Sequence, residues 1–162
     1  MVTGMDEKVT IRPYRASDEA SVVDLWSRAA KLAHPFIERE GEGERARKLR
    51  EVYLVVADNW VAEMSGAVVG LLGLLEAEIG GLFVAPAAQG RGVGRALVEH
   101  AAALHGEVTL EVFENNTRAR RFYDLMGFVE RGRRTDEETG HILISLLRPA
   151  AGAAESMTVT AH

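Results

Sequence analysis

The sequence predicts an α/β domain built on a mixed sheet. Three observations carry that prediction. Apolar spacing switches along the chain between two and about 3.6, strand-like stretches precede, separate and follow the helical ones, and the middle of the chain holds one strand, helix, strand unit of the kind that joins parallel strands. A chain of 162 residues is the size of one domain, and 47% hydrophobic content is enough to bury a core, which excludes wholesale disorder.

Thr10 to Tyr14 reads as a short first strand broken by Pro13. Ser17 is placed to cap a helix whose first turn carries Asp18 and Glu19 and whose apolar side is Val22, Leu25, Trp26, Ala29, Ala30 and Ala33. His34-Pro35 ends it near Leu32, because a residue before proline is pushed out of the helical region. A charged connector leads to a second helix expected to carry Leu49, Val52, Tyr53 and Val56. Trp60 to Glu63 and Ala67 to Leu75 form a hairpin around Met64-Ser65-Gly66, and Ile79 to Val84 is a further strand stopped by Pro86. The third helix comes next, with Val93, Ala96, Leu97, Ala101 and Leu104 as its stripe and Gly106 as its stop. Glu107 to Phe113 alternates as a strand. A fourth helix shows Ala119, Phe122, Tyr123 and Met126 on one face, stops at Gly127 and lets Phe128 pack back. Strands near Phe128 to Arg134 and His141 to Leu147 flank a turn at Asp136 to Gly140. The folded domain is expected over 8–148, with tails at 1–7 and 149–162.

Composition narrows the chemistry. The chain has no cysteine, so thiolate metal sites, disulfides and a cysteine nucleophile are excluded, and the cytoplasm is the expected compartment. The opening residues lack a signal-peptide pattern and the longest apolar run, Ala67 to Leu75, is far short of the ~20 residues of a membrane span, so no membrane association is expected. A net charge of -5 disfavours nucleic acid as a partner. His100 and His105 do not share a helical face, and no metal site is expected.

The most informative segment is Pro86-Ala87-Ala88-Gln89-Gly90-Arg91-Gly92-Val93-Gly94-Arg95, which joins a strand to a helix. Three alternating glycines at a helix start leave several amide N–H groups approachable, and the helix dipole with Arg91 and Arg95 favours an anion there. Glycine costs about 1 kcal/mol relative to alanine within a helix, so three of them imply a use. A nucleotide P-loop would need Gly-Lys-Ser/Thr, which is absent. A dinucleotide turn would need glycine or alanine where Arg95 or Leu97 stands.

Gln89-Gly90-Arg91-Gly92-Val93-Gly94 resembles the Gln/Arg-x-x-Gly-x-Gly signature of the GNAT superfamily of acyl-CoA N-acyltransferases. Asn116, Ala119, Phe122, Tyr123, Gly127 and Phe128 match that family's Asn-x-x-Ala-x-x-Phe-Tyr-x-x-x-Gly-Phe pattern at full spacing. The resemblance is strong from Ile79 to Phe128 and weak before Trp60. It implies a GNAT-type sheet splayed between the strands ending at Val84 and Phe113, and an enzyme that moves the acetyl group of acetyl-CoA to a small-molecule or peptide amine. By that resemblance Gln89, Gly90, Arg91, Gly92, Val93, Gly94 and Arg95 hold the coenzyme diphosphate. Phe83 and Val84 pair through their main chain with the pantetheine arm, one of their amides polarising the acetyl carbonyl, and Asn116 touches the arm from the other side. It also implies a homodimer as one possible state. A non-catalytic acyl-CoA-binding module and a dinucleotide-dependent oxidoreductase are the rival classes, the second opposed by the failed glycine spacing.

An amine of pKa near ~10.4 loses its proton at pH 7 at a cost of about 4–5 kcal/mol, so direct attack needs a base or an apolar pocket. Glu78 is a candidate base, or a solvated strand-end carboxylate. His34, in His34-Pro35-Phe36-Ile37, either orients or deprotonates the acceptor or simply ends the first helix. Tyr123 either protonates the departing thiolate, uphill by only about 2 kcal/mol from a pKa of ~10 to one of ~8.5, or is a core aromatic. Glu38, Glu40, Glu42 and Glu44 either draw in a cationic amine or form a solvated face.

Overall fold

The computed structural model describes residues 8–151. The expected tails at 1–7 and over most of 149–162 lie outside them. The elements in order are β1 (Thr10–Pro13), α1 (Glu19–Ala33), a helical segment over 43–56 called α2, β2 (Asp58–Met64), β3 (Ala67–Leu75) and β4 (Glu78–Val84). α3 (Val93–His105), β5 (Val108–Phe113), α4 (Thr117–Leu125), β6 (Val129–Thr135) and β7 (Ile142–Arg148) complete the chain. The seven strands make one sheet in the order β1-β2-β3-β4-β5-β7-β6.

All neighbouring strands run antiparallel except β4 and β5, the two joined through α3. That parallel pair is very short. Only Glu78 with Thr109 and Ile79 with Leu110 are in register, after which the strands part. The alternation of apolar residues sends each strand's side chains into two cores. On one face Leu72, Leu74 and Ile79 pack with Val93, Leu97, Val98 and Ala101 of α3 and with Tyr123 and Phe128; on the other, Val61 and Leu71 pack with Val22, Leu25 and Trp26 of α1 and with Leu49 and Leu54 of α2.

Two local expectations are corrected. Ser17 is exposed and caps nothing. The α1 entrance is organised instead by Asp18, whose carboxylate accepts the Arg15 N–H at 2.8 Å and both terminal nitrogens of Arg12 at 2.8 Å. Hydrogen bonds from Arg12 hold the Asp18 carboxyl down, to about 2. On α3 the buried stripe includes Val98, whereas Leu104 is exposed.

The second helix carries the four expected residues, but it is irregular. Leu49, Val52, Tyr53 and Val56 have regular helical spacing, yet only Leu49 is buried. Gly43–Lys48 is α-helical, Leu49–Tyr53 is a π turn in which the Leu54 N–H reaches the Leu49 carbonyl, and Leu54–Val56 closes the segment. The wider turn inserts a residue and rotates the rest of the helix, so Leu54 takes the inward place while Val52, Tyr53 and Val56 face solvent.

Candidate active site

The glycine turn begins where β4 ends. Pro86–Ala88 makes one 3-10 turn, Ala88 is buried, and the Gln89 side-chain amide donates back to the Val84 carbonyl at 3.2 Å, fixing the turn on its strand. Gly90 and Gly92 have φ of +80° and +85°, a conformation that disfavours any Cβ, and a Cβ at either would meet open space. Gly92 is the N-cap of α3 and, lacking a side chain, makes no cap bond to the first-turn amides. Val93 is buried, so it offers only its N–H to this side, while Arg91 and Arg95 are exposed beside it. Gly94 serves a different end: a Cβ there would lie 3.2 Å from Cζ of Phe122, so its absence lets α4 approach α3.

Two main-chain bonds define the phase of β4. The Ala77 carbonyl accepts from the Thr109 N–H at 3.1 Å, so before the bulge odd-numbered residues face β5. The Ala85 N–H donates to the Val69 carbonyl at 2.8 Å, so after it odd-numbered residues face β3. The register shift opposite Gly73 and Leu74 reconciles the two. Beyond that bulge Leu82 and Val84 turn their N–H and C=O groups toward the open side of the wedge, and Phe83 turns its own to Leu71 of β3. This corrects the expectation for Phe83, whose main chain is taken by the sheet, and adds Leu82. The signal for it was Gly80-Gly81, since paired glycines within a strand mark a bulge.

On the far side of the wedge Asn116 caps α4, its Oδ1 accepting from the Ala119 N–H at 3.2 Å. Tyr123 is buried, with ring centroids 5.3 Å from Phe122 and 5.3 Å from Phe128. Because Phe122 also rests on Gly94, one ring separates Tyr123 from the first turn of α3. Burial pushes the Tyr123 hydroxyl well above the usual phenol range, so it carries its proton at neutral pH.

The opposite face of β4 borders a cleft of about 170 Å³. Trp26, Leu49, Tyr53, Leu71 and Phe83 give it apolar walls, with Gly80 and Gly81 along β4. Arg45, Lys48 and Glu138 also line it, Glu138 lying 3.5 Å from both Arg45 Nη1 and Lys48 Nζ. Linked to the lining residue Arg45 through Glu40, His34 ends α1, its Nδ1 2.6 Å from Oε2 of Glu40. The imidazole stands edge-on to Phe113, 5.0 Å away at the end of β5 where the strands have parted. Glu40 is 5% exposed and also accepts from Arg45 and from the Gly41 N–H at 3.3 Å. Its burial would raise the carboxyl, but the bonds from His34 and Arg45 outweigh that and leave it below its ordinary value.

Three carboxylates of the acidic run are paired, and Glu38 is exposed. Glu40 is committed to His34 and Arg45, Glu42 pairs with Lys31 at 3.3 Å, and Glu44 pairs with Arg47. Glu78 is exposed at the first position of β4, at the paired end of the wedge and outside the cleft lining. The structure thus places Val84 and Gln89 to Arg95 on the β4 side of the wedge, Asn116 and Tyr123 on the α4 side, His34 beside Phe113 at the end of β5, and Glu78 at the start of β4 opposite Leu75. Sequence reasoning missed the roles of Glu40 and of the Trp26 wall, and nothing in their spacing marks either. Among the described residues no group of three or more His, Asp or Glu is placed to hold a metal ion, and no helix is long and apolar enough to cross a membrane.

Residues 55–130 match the acetyltransferase (GNAT) domain family. The chain is 34% identical to the Escherichia coli peptidyl-lysine N-acetyltransferase YiaC over 119 residues, 73% of this chain and 82% of that protein. It is 32% identical to the Salmonella typhimurium peptidyl-lysine N-acetyltransferase YjaB over 144 residues, 87% of this chain and 99% of the relative. The solution structure of apo YjaB from Escherichia coli aligns with a TM-score of 0.75 at 31% identity, covering 89% of this chain and 99% of that one. A GCN5-related N-acetyltransferase from Rhodopseudomonas palustris shares the fold, with a TM-score of 0.73 at 21% identity over 86% of this chain and 94% of that one.

Proposed function

Since the chain belongs to the GNAT superfamily, and so transfers the acetyl group of acetyl-CoA to an amine, we propose that its acceptor is a lysine side chain carried on a peptide or protein. The observation that carries this reading is the small cleft on the acceptor face of β4, which has Trp26, Leu49, Leu71 and Phe83 as apolar walls and Glu138 in its polar lining. At about 170 Å³ it is smaller than the roughly 300–1,000 Å³ typical of small-molecule pockets, and suits one long side chain with an apolar stem and a cationic tip. The names of the relatives YiaC and YjaB agree with it.

In this reading the amides of Gly90 to Arg95 hold the diphosphate at the start of α3, where a helix N-terminus favours an anion. Leu82 and Val84 pair with the pantetheine arm through the open β4 edge, and one of their N–H groups polarises the thioester carbonyl. Asn116 keeps its cap with Oδ1 and offers its Nδ2 to the arm. The amine nitrogen attacks the carbonyl carbon, the C–S bond breaks, and the Tyr123 hydroxyl gives its proton to the leaving sulfur. Apolar walls favour the neutral amine, and His34 takes up its proton: the Glu40 carboxylate fixes the proton on Nδ1 and leaves Nε2 as the acceptor. Glu78, at the paired end of the wedge, serves at most through water. We place the activity in the cytoplasm, with which a cysteine-free chain is compatible.

The test is acetyl-CoA turnover with lysine peptides, peptide α-amines and free polyamines offered in parallel, with products read by mass spectrometry. Acetylation on the lysine ε-nitrogen at the highest kcat/KM is expected. Turnover confined to free small amines would overturn the reading.

A further inference from the structure

We propose that an exposed apolar ledge beside the cleft docks the residues flanking the acceptor lysine, so that the enzyme selects lysines set among apolar neighbours. The inference rests on the peptide-lysine reading of the acceptor. The ledge consists of Val52, Tyr53, Val55 and Val56 on α2 with Leu75 at the end of β3, exposed by 42%, 41%, 73%, 69% and 36%.

The sequence of α2 does not require this exposure. In a regular helix Leu49, Val52, Tyr53 and Val56 stand at i, i+3, i+4 and i+7 and share one buried face. The π turn over Leu49–Tyr53 breaks that arrangement and turns three of the four outward. Such turns recur at functional sites, and a group of large apolar side chains left in water marks a surface with a partner. Val56 lies one helical turn beyond Tyr53, and Val55 and Val56 lie three and four residues beyond Val52, so the four are neighbours on the helix.

The occupant is set by continuity. Tyr53 and Leu75 belong to the ledge and also line the cleft, so the ledge meets the slot at these two side chains. Whatever projects from an acceptor held in the slot lands on it. A second copy of the chain is a poorer fit, because a stable protein interface uses roughly 20–30 residues a side and the ledge offers a few side chains. A short peptide segment matches that size.

Short lysine peptides with leucine and valine flanks, matched peptides with serine flanks, and N-acetyl-lysine methylamide test this, with wild type and the double variant Val55→Asp, Val56→Asp. Both substituted positions are exposed, and near-UV circular dichroism checks that the variant folds. Wild type should prefer the apolar-flanked peptide about tenfold in kcat/KM, the scale of partly burying two valine side chains. The variant should lose that preference while acetylating the methylamide as wild type does. Equal rates on the two peptides, or a variant that keeps the preference, overturns the ledge and leaves the peptide reading standing. If no lysine peptide is acetylated while small amines are, both fall. A wild-type dimer that the double variant converts to a monomer in sedimentation also overturns the proposal, since a second copy would then cover the ledge.

Discussion

The donor half and the acceptor half of this molecule are built from different materials. In the proposed reading the donor half, made of the β4 edge, the glycine turn, α3 and α4, works mainly through main-chain groups: amides at a helix start and the edge of β4 that β5 leaves open. The proposed acceptor half, made of α1, its connector, α2 and the β6–β7 turn, works through side chains set by an irregular helix and a buried ionic cluster. Main-chain chemistry needs particular backbone conformations, and those demand glycine at Gly90 and Gly92 and a close approach at Gly94. Side-chain chemistry tolerates many solutions. Substitutions should therefore act sharply and on the coenzyme in one half, and more mildly and on the acceptor or on stability in the other.

The largest effect is expected from Tyr123→Phe, which removes the proton donor and leaves the ring packing. Its kcat should fall by about 100-fold or more, as for loss of a general acid, with acetyl-CoA affinity little changed. Steady-state kinetics beside calorimetric binding separates the two quantities. Gly92→Val forces a β-branched residue into φ of +85°, where even an ordinary residue is strained by roughly 1–2 kcal/mol, and distorts the amide cradle. Acetyl-CoA affinity measured by calorimetry should drop about tenfold to a hundredfold.

In the acceptor half, His34→Gln should lower kcat/KM for the amine by about tenfold at neutral pH, while acetyl-CoA binds as before. A loss of coenzyme affinity instead would erase the distinction between the halves. The smallest effect belongs to the α1 anchor. The Asp18 pKa is lowered from 3.8 to about 2 by Arg12, so its stabilisation is present above about pH 4 and disappears as pH falls toward 2. Asp18→Asn should cost about 1–2 kcal/mol in urea unfolding at pH 7, and the difference from wild type should shrink as the pH is lowered through that window.

The same division explains what the sequence makes legible. The alternation of Val108, Leu110 and Val112, the stops at Gly106 and Gly127, and the glycine turn all reflect local backbone demands, and each stands where its pattern places it. The α2 stripe misleads because helical spacing presumes a constant turn, and one π turn at Leu49–Tyr53 moves Val52, Tyr53 and Val56 out of the core. Phe83 misleads for a related reason: a bulge beside Gly80-Gly81 shifts the ladder by one, handing the open edge to Leu82 and Val84. The ties of Glu40 to His34 and Arg45 depend on where two chain segments meet, which no periodicity encodes.

Amide hydrogen exchange with and without coenzyme A tests the donor half most directly. The amides of Leu82 and Val84 and those from Gly90 to Arg95 should exchange fast in the free protein and slow on binding, while Phe83 stays protected in both states. Protection that appears elsewhere on the molecule, or a Phe83 amide that responds while Leu82 and Val84 do not, would contradict a coenzyme site on the β4 edge and the glycine turn.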